Sequence, residues 1–232
     1  MLGFENQISH VSCLVSDDQL FFAVHTRRCG LRTARRAYIF WVPPVMRPVV
    51  LYVDYENLRH WPADAYSDSP EDLDVVRLGE LIASRRHEES ILMQARVYRG
   101  VPNNRLDAKR ARRQSRWLER CMIDSRFVFI SQPLKYRWDG NANIPVEKGI
   151  DVALAIDLAM HPFRFPTCAA VLLSRDQDLQ PAIEAFVEFA AGQSPLEVAS
   201  CPSLSRLYLA STKRPWCHYL SREGFETIRD DA

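Results

Sequence analysis

The sequence predicts a three-layer α/β/α fold, in which a central, mostly parallel five-stranded sheet lies between two layers of helices. From Pro48 onward, short apolar runs alternate with amphipathic stretches, which is typical of parallel strands joined by helical crossovers. The apolar runs contain few polar residues, as expected of strands that are buried on both faces. The chain has 232 residues, 47% hydrophobic and 25% charged, so it can bury a sizeable core. This composition excludes a small disulfide scaffold, a wholly disordered chain and a fibrous repeat.

The predicted elements alternate along the chain. Five short apolar runs are the predicted strands, at residues 49–53, 91–98, 127–130, 168–174 and 196–199. Three stretches with helical periodicity are predicted helices, at residues 73–86, 105–122 and 179–191. The polar segment 132–145 is predicted to be a loop.

The segment 147–161 carries two conflicting patterns. Apolar residues recur at every second position, which is strand periodicity: Ile150, Val152, Leu154, Ile156, Leu158 and Met160. Three alanines and a length of about 14 residues favour a helix instead. Because parallel strands need a crossover connection at this point, we predict a helix.

Residues 1–46 show neither helical nor strand periodicity over any length. Two interpretations stay open for them. They form a poorly ordered N-terminal arm, or the reading frame is over-called and the protein starts at Met46. In both cases the folded domain is expected to comprise residues 47–232.

The composition limits the possible partners and cofactors. Thirty basic residues stand against 29 acidic ones, so the net charge of +1 indicates neither a nucleic-acid nor a membrane partner. The six cysteines are widely spaced without a C-x-x-C pair, which argues against a zinc site and a disulfide framework. The first 20 residues lack the basic start of a secretory signal, and we expect a cytoplasmic protein without a membrane partner.

Four carboxylates follow or adjoin the predicted strands. Asp54 ends the first strand, Asp176 and Asp178 follow the fourth, and Asp151 lies near the start of the helix that leads into the fourth. Ligands of open parallel sheets bind beyond the carboxyl ends of the strands, so these four side chains could converge there. Clustered carboxylates repel one another unless a cation binds between them. Ligand sets that contain only oxygen suit Mg²⁺ or Mn²⁺.

Each of these acids also has a simpler interpretation. An Asp after a strand is often a helix N-cap or a turn residue, and this alternative applies to Asp54 and Asp178. Glu147 precedes Asp151 by four residues and shares its helix face, which makes it a weaker candidate ligand. Asp157 lies about 240° around the helix from Asp151 and is expected to be a solvated or capping residue.

Three motifs resemble those of a known family. Asp54-Tyr55-Glu56-Asn57 resembles the D-x-x-N opening of NYN domains, the LabA-like branch of the PIN-like nuclease superfamily. Lys148-Gly149-Ile150-Asp151-Val152 looks like the family's K-G-V-D-V helix. The segment 174–181 looks like its S-G-D-S-D-F-x-P turn, with Arg175 in place of Gly and Leu179 in place of Phe. The motifs occur in the family's order between residues 49 and about 200.

The resemblance implies a PIN-like fold and an Mg²⁺- or Mn²⁺-dependent endoribonuclease that cleaves single-stranded or structured RNA. By motif position, the metal ligands would be Asp54, Asp151, Asp176 and Asp178. Asn57 would orient the Asp54 carboxylate or contact substrate, and Ser174 would hydrogen-bond within the site. The alternative is a catalytically impaired RNA-binding or protein-interaction domain, which the bulky, cationic Arg175 favours. A small-molecule phosphohydrolase is disfavoured, since it would need an Asp where the chain has Glu56.

A local excess of positive charge supports RNA as the partner. Residues 105–120 contain seven basic and two acidic side chains, a net charge of +5. Residues 135–138 interleave cations with aromatic rings, as single-strand binding surfaces do. The predicted RNA-binding residues are Arg105, Lys109, Arg112, Arg113, Arg116, Lys135, Arg137 and Lys148. The alternative is a solvated, Arg-rich helix.

Overall fold

The computed structural model describes residues 8–16, 19–27, 38–41, 46–68, 72–205, 207 and 215–230. Two compact units divide the chain, Met1–Met46 and Arg47–Ala232. The described part of the first unit is a three-stranded antiparallel sheet of β1 (Ile8–Ser16), β2 (Gln19–Arg27) and β3 (Tyr38–Trp41). The sequence predicts no regular element in this unit. The two interpretations of its origin stay predictions.

The second unit contains the remaining described strands and the helices. The strands are β4 (Arg47–Asp54), β5 (Ser90–Val101), β6 (Phe127–Pro133), β7 (Lys135–Trp138), β8 (Asn143–Val146), β9 (Ala169–Leu173), β10 (Leu196–Ser200) and β11 (Trp216–Tyr219). The helices are α1 (Tyr55–Tyr66), α2 (Val75–Ser84), α3 (Ala108–Cys121), α4 (Ile150–Ala159), α5 (His161–Arg164), α6 (Gln180–Ala190) and α7 (Arg222–Thr227). A 3-10 turn at Gln177–Leu179 precedes α6.

The predicted α/β class is confirmed. The central sheet has the strand order β11-β10-β9-β4-β5-β6, and every neighbouring pair is parallel. It therefore has six strands rather than the predicted five. The sixth, β11, is only four residues long, too short to show a strand period in the sequence.

Successive side chains of β4 point to opposite faces of the sheet, and each face packs into its own core layer. Val49, Leu51 and Val53 belong to a cluster with buried residues of α1, α2, α3 and α7. On the other face, the Tyr52 hydroxyl hydrogen-bonds His161 Nδ1 at the start of α5 (2.9 Å), which places the α4–α6 side of the molecule there. Every residue from Val49 to Val53 is fully buried, so both layers exclude water from the centre of the sheet.

The sequence patterns are ambiguous in one segment and featureless in another. The predicted helix at 147–161 is confirmed as α4 (Ile150–Ala159), and the short α5 follows it. The predicted loop at 132–145 is wrong in part, because it contains the antiparallel hairpin β7–β8. Most side chains of this hairpin are exposed or half-buried on both faces, so no apolar alternation marks its strands.

No helix among the described residues is both long and apolar enough to cross a membrane.

Candidate active site

The chain reverses its winding direction between β4 and β9. From β4 the sheet grows through β5 and β6 on one side and through β9, β10 and β11 on the other. In sheets of this kind, the carboxyl ends of the two strands at the switch point frame the ligand crevice. The register pairs Val53 with Leu173, so the next residues, Asp54 and Ser174, lie side by side at that edge.

Asp54 is the buried acid of this edge, with 7% of its surface exposed. It is the N-cap of α1, and one carboxylate oxygen accepts a hydrogen bond from the backbone N–H of Asn57 (3.2 Å). The other oxygen accepts a hydrogen bond from the fully buried Ser174 hydroxyl (2.9 Å). The carboxylate is therefore held in one orientation by groups from two neighbouring strand ends.

Asn57 joins the two halves of the edge through its side chain. Its Oδ1 accepts hydrogen bonds from Trp61 Nε1 (2.8 Å) and from the backbone N–H of Arg175 (3.2 Å). The contact to Asp54 comes from the Asn57 backbone rather than from its side chain. The Asn57 side-chain oxygen thus ties α1 to the turn after β9.

Asp176 begins the turn that leads into α6. It is the N-cap of the 3-10 turn, and its Oδ1 accepts a hydrogen bond from the backbone N–H of Asp178 (3.0 Å). Its own backbone N–H donates to Ser174 Oγ (3.1 Å). Ser174 therefore bridges Asp54 and Asp176, whereas the Asp178 side chain is exposed.

Asp151 lies in the first turn of α4. The preceding Gly149 is the N-cap and has φ +83°, a left-handed conformation that favours glycine. Burial raises the pKa of Asp151, and the negative charges of Asp176 and Asp178 raise it further. Asp151 therefore faces the same acidic region as the turn after β9.

Glu147 lies on the β5 side of the same region. Its Oε1 accepts a hydrogen bond from the backbone N–H of Gly100 (2.8 Å). Burial raises the pKa of Glu147, although the hydrogen bond from Gly100 lowers it. The negative charges of Glu56 and Asp151 raise it further. Gly100 is needed here, because a Cβ at this position would lie 2.2 Å from a Leu134 methyl carbon and 2.7 Å from the Glu147 carboxylate.

The pKa shifts show that these acidic side chains act on one another electrostatically. Burial raises the pKa of Asp54 to about 7, although the hydrogen bonds from Ser174 and Asn57 lower it. The negative charges of Asp151 and Glu147 raise it further. A carboxylate with a pKa near neutrality, surrounded by like charges, gains most from a cation.

The donor set fits a divalent cation in charge and in chemistry. The candidate ligands offer only carboxylate oxygen, which suits Mg²⁺ or Mn²⁺. No three carboxylate, His or Cys side chains among the described residues are grouped so that they could hold an ion. Mg²⁺ commonly keeps several waters and binds proteins through only one or two carboxylates, so a looser set is sufficient.

Asp157 lies apart from the acidic edge. Its carboxylate pairs with Arg96 (2.6 Å) and with Arg164, and it accepts a hydrogen bond from the Tyr98 hydroxyl (2.7 Å). Burial raises the pKa of Asp157, but these partners together hold it below its usual value. It is a structural ion-pair residue rather than the solvated or capping residue that the sequence predicts.

The basic segment 105–120 forms α3 and the turn before it. Three of its seven cations form ion pairs: Arg110 with Glu56, Arg113 with Asp72, and Arg120 with Asp230. The other four are exposed and form no ion pair with any described residue: Arg105, Lys109, Arg112 and Arg116. Of the predicted RNA-binding residues on α3, Arg113 is therefore already paired, whereas Lys109, Arg112 and Arg116 line a surface concavity together.

The remaining predicted RNA-binding residues lie on the hairpin β7–β8 or between this hairpin and α4. Lys135 and Arg137 project from one face of β7, and Tyr136 and Trp138 project from the other. The Trp138 ring is 62% exposed, which leaves it free to stack. Lys148 is exposed directly before α4.

An ion-pair network that the sequence does not predict lies beside the acidic edge. Glu56, two residues after Asp54, contacts the guanidinium groups of Arg59 (3.0 Å), Arg99 (3.0 Å) and Arg110 (3.3 Å). The i,i+3 spacing of Glu56 and Arg59 is a signal in the sequence. The other two arginines come from β5 and α3, and no local pattern predicts them.

The raised pKa of Asp54 predicts an unusual effect of Asp54→Asn on stability. In the unfolded chain the pKa is near 3.8, and in the folded protein it is about 7, so the folded state binds more protons between these pH values. The free energy of unfolding therefore falls as pH rises from about 4 to about 7 and stays lower above that. The uncharged Asn avoids this loss, of order 4 kcal/mol at most. The variant should melt at a higher temperature than the native protein at pH 8, with little difference near pH 4.

Asp157→Asn is the matched control for that melting experiment. The pKa of Asp157 is lowered in the folded state, so its charge stabilises the fold above the unfolded pKa and this contribution is lost as pH falls. At pH 8 this variant should melt below the native protein. A lower melting temperature of Asp54→Asn at pH 8 would contradict the assignment of Asp54 as a destabilising buried charge.

Comparison with known proteins gives one family match. The model of the NYN domain family matches residues 48–190. Among solved structures, a protein of unknown function from Vibrio parahaemolyticus RIMD 2210633 is similar, with 17% sequence identity and a TM-score of 0.46. That similarity covers 69% of this chain and 85% of the Vibrio chain. No curated protein matches the chain.

Proposed function

This chain belongs to the NYN domain family, within the PIN-like nuclease superfamily, and from this membership we propose that it is an endoribonuclease dependent on Mg²⁺ or Mn²⁺. The observation that carries the proposal is the buried Asp54 carboxylate at the switch point of the sheet, with its pKa raised to about 7 among further acids. An uncompensated charge of this kind costs stability, as expected of a residue kept for function.

Asp54, Asp151 and Asp176 would hold the cation, with Asp178 at its edge and Glu147 as a further possible ligand. When bound, a divalent cation activates water for attack and neutralises charge that builds on the phosphate oxygens. The protein's own contribution is orientation. Ser174 fixes both Asp54 and the turn of Asp176, and Asn57 locks that turn to α1.

The chain's own positive charge supports RNA as substrate. The unpaired cations of α3 provide phosphate contacts, and Arg110 links this helix to Glu56 beside Asp54. The hairpin that leads into α4 exposes the Trp138 ring, a platform on which an unpaired base can stack. Because Leu134 at its root is buried and its backbone N–H bonds Val101 O (2.9 Å), the hairpin is anchored next to the end of β5.

The structure weakens the case for the catalytically impaired alternative. Arg175 is not among the described residues with positive φ, so a side chain is accommodated at this position without backbone strain. Its guanidinium pairs with Asp64 on α1 (3.0 Å), so its charge is directed to a carboxylate outside the acidic edge. We therefore propose a competent site.

The decisive test is cleavage of a labelled single-stranded RNA by the native protein with Mg²⁺, with Mn²⁺ and with chelator. We expect cleavage with at least one cation and none with chelator. The cation should also raise the melting temperature of the native protein, because a ligand that binds only the folded state stabilises it. RNA binding without cleavage under all cation conditions would favour the impaired alternative instead.

A further inference from the structure

The arginine network beside the acidic edge carries more positive than negative charge. Its two carboxylates are Glu56, which contacts three arginines, and Asp72, which pairs with Arg113 (2.7 Å) and lies 3.9 Å from Arg99. Four guanidinium groups thus meet two carboxylates, and the charge of a third, Glu147, also acts on Arg110, so one positive charge is left over. Partly buried cations gain from a neighbouring negative charge, so this network can accept an anion.

Arg99 forms the buried floor of this network. Its side chain is 3% exposed, and its guanidinium lies 4.3 Å from the centre of the Tyr55 ring and 5.0 Å from the Trp117 ring. These aromatic contacts stabilise the cation and fix its position. One of its terminal nitrogens, Nη1, is buried and has no hydrogen-bond partner among the described residues.

The other three arginines form an accessible rim. Exposure of the side chain rises from Arg59 (17%) through Arg110 (29%) to Arg113 (48%). Each keeps one contact to a carboxylate, and the planar guanidinium has five N–H donors, so donors remain for a second anion. The fork of a guanidinium matches two phosphate oxygens, which makes phosphate the anion of best fit.

The network adjoins the acidic edge at Glu56 and the helix α3 at Arg110. Glu56 is in the first turn of α1, directly after the N-cap Asp54. Arg110 belongs to α3, one residue after Lys109, whose face carries the unpaired cations. An RNA strand that runs from the α3 face to Asp54 would pass this network.

We propose that Arg59, Arg110 and Arg113 form a phosphate-binding subsite for the RNA backbone next to the cleaved phosphate. In this subsite Glu56 holds the guanidinium groups of Arg59 and Arg110 in position, and Asp72 holds that of Arg113. The subsite rests on the proposed function for its ligand. It assigns a binding role to Arg59 and Arg110, which the sequence analysis did not include among the RNA-binding residues, and it gives Arg113 a role in spite of its ion pair. Glu56 also competes with phosphate for the same donors.

This competition gives two opposite expectations for RNA affinity. Arg110→Gln removes a phosphate contact, so affinity for a short single-stranded RNA should fall about fivefold near 0.1 M salt, and the salt slope should become shallower by about 0.7. Glu56→Gln releases three arginines from a competing charge, so affinity should rise several-fold. The matched controls are Arg126→Gln and Glu80→Gln, which break an exposed ion pair elsewhere (2.7 Å) and should change neither quantity.

Binding is measured by fluorescence anisotropy with chelator present, over about 50–200 mM salt, with inorganic phosphate as a competitor. Weak competition by inorganic phosphate is expected, because a single phosphate lacks the neighbouring contacts of an RNA strand. Unchanged affinity and slope in a folded Arg110→Gln variant would overturn the subsite and return the network to a structural role. Because this assay measures binding without cleavage, that result would leave the nuclease proposal intact. Native protein that binds RNA but never cuts it would instead contradict the nuclease proposal and leave the subsite intact.

Discussion

Asp54→Asn is expected to reduce RNA cleavage by about 100- to 1,000-fold while RNA affinity holds or tightens. The lost carboxylate is the buried member of the acidic edge, and a cation held there would contribute several kcal/mol to stabilising the transition state. In the proposed function the arginines attract RNA in the ground state, and removing a negative charge from the site would lower repulsion of phosphate. Single-turnover cleavage and anisotropy, measured on the same preparation, separate the two effects.

Asp157→Asn again serves as the matched control. Like Asp54→Asn, it removes one negative charge. Asp157 lies on α4, however, and its ion pair with Arg96 lies apart from the acidic edge. This variant should be less stable and still cut RNA at temperatures where it is folded. Asp54→Asn should be more stable and inactive, so loss of activity cannot be attributed to unfolding. Unchanged cleavage by Asp54→Asn would remove the nuclease assignment.

The strands of the central sheet could be predicted because strands that are buried on both faces appear in the sequence as nearly continuous apolar runs. Val49–Val53 and Ala169–Leu173 are buried on both faces, so almost every residue in them must be apolar. The first polar residue after each run marks the carboxyl edge. Asp54 is predicted in this way, whereas Ser174 is predicted from the family motif, and the strand register brings the two together.

The helix α4 shows how an ambiguous pattern is resolved by length and context. Ile150, Leu154 and Leu158 are buried with helical spacing, whereas Val152 and Ile156 are exposed on the other side. The helix is thus apolar nearly all round, and its sequence imitates strand alternation. Periodicity alone could not decide between helix and strand; the need for a crossover between parallel strands could.

The hairpin β7–β8 was beyond prediction from periodicity but not from turn chemistry. Its strands expose both faces, so no apolar alternation is present. The turn between them contains Asp139-Gly140, and Gly140 has φ +104°. An Asp-Gly pair between two short runs of β-branched and aromatic residues is a hairpin signal, which the prediction of a loop overlooked.

Ion pairs between segments that are far apart in the sequence cannot be predicted from local sequence patterns. Asp157 meets Arg96 across 61 positions, and Glu56 meets Arg99 across 43. Each partner is an ordinary charged residue in its own segment, and only the sheet topology brings them together. For this reason the sequence identified the acidic edge but not the arginine network beside it.

A triple variant of α3, with Lys109→Gln, Arg112→Gln and Arg116→Gln, is expected to weaken RNA binding about 100-fold at 0.1 M salt. Each phosphate contact on a single strand contributes about 0.7 to the slope of log affinity against log salt, so three contacts contribute about 2. These residues are exposed and unpaired among the described residues, so their loss should leave the fold intact. Arg113 is left in place, because its pairing with the nearly buried Asp72 would confound the result.

The control variant removes the same charge from other helices. Arg77→Gln, Arg85→Gln and Arg222→Gln change exposed cations at α2 and α7, which carry none of the predicted RNA-binding residues. If only net charge matters, both triple variants should lose affinity equally. If α3 is the RNA-binding face, only its variant should show the shallower salt slope. Cleavage by the α3 variant should recover at saturating RNA, because these cations attract the substrate and do not act on the reacting phosphate.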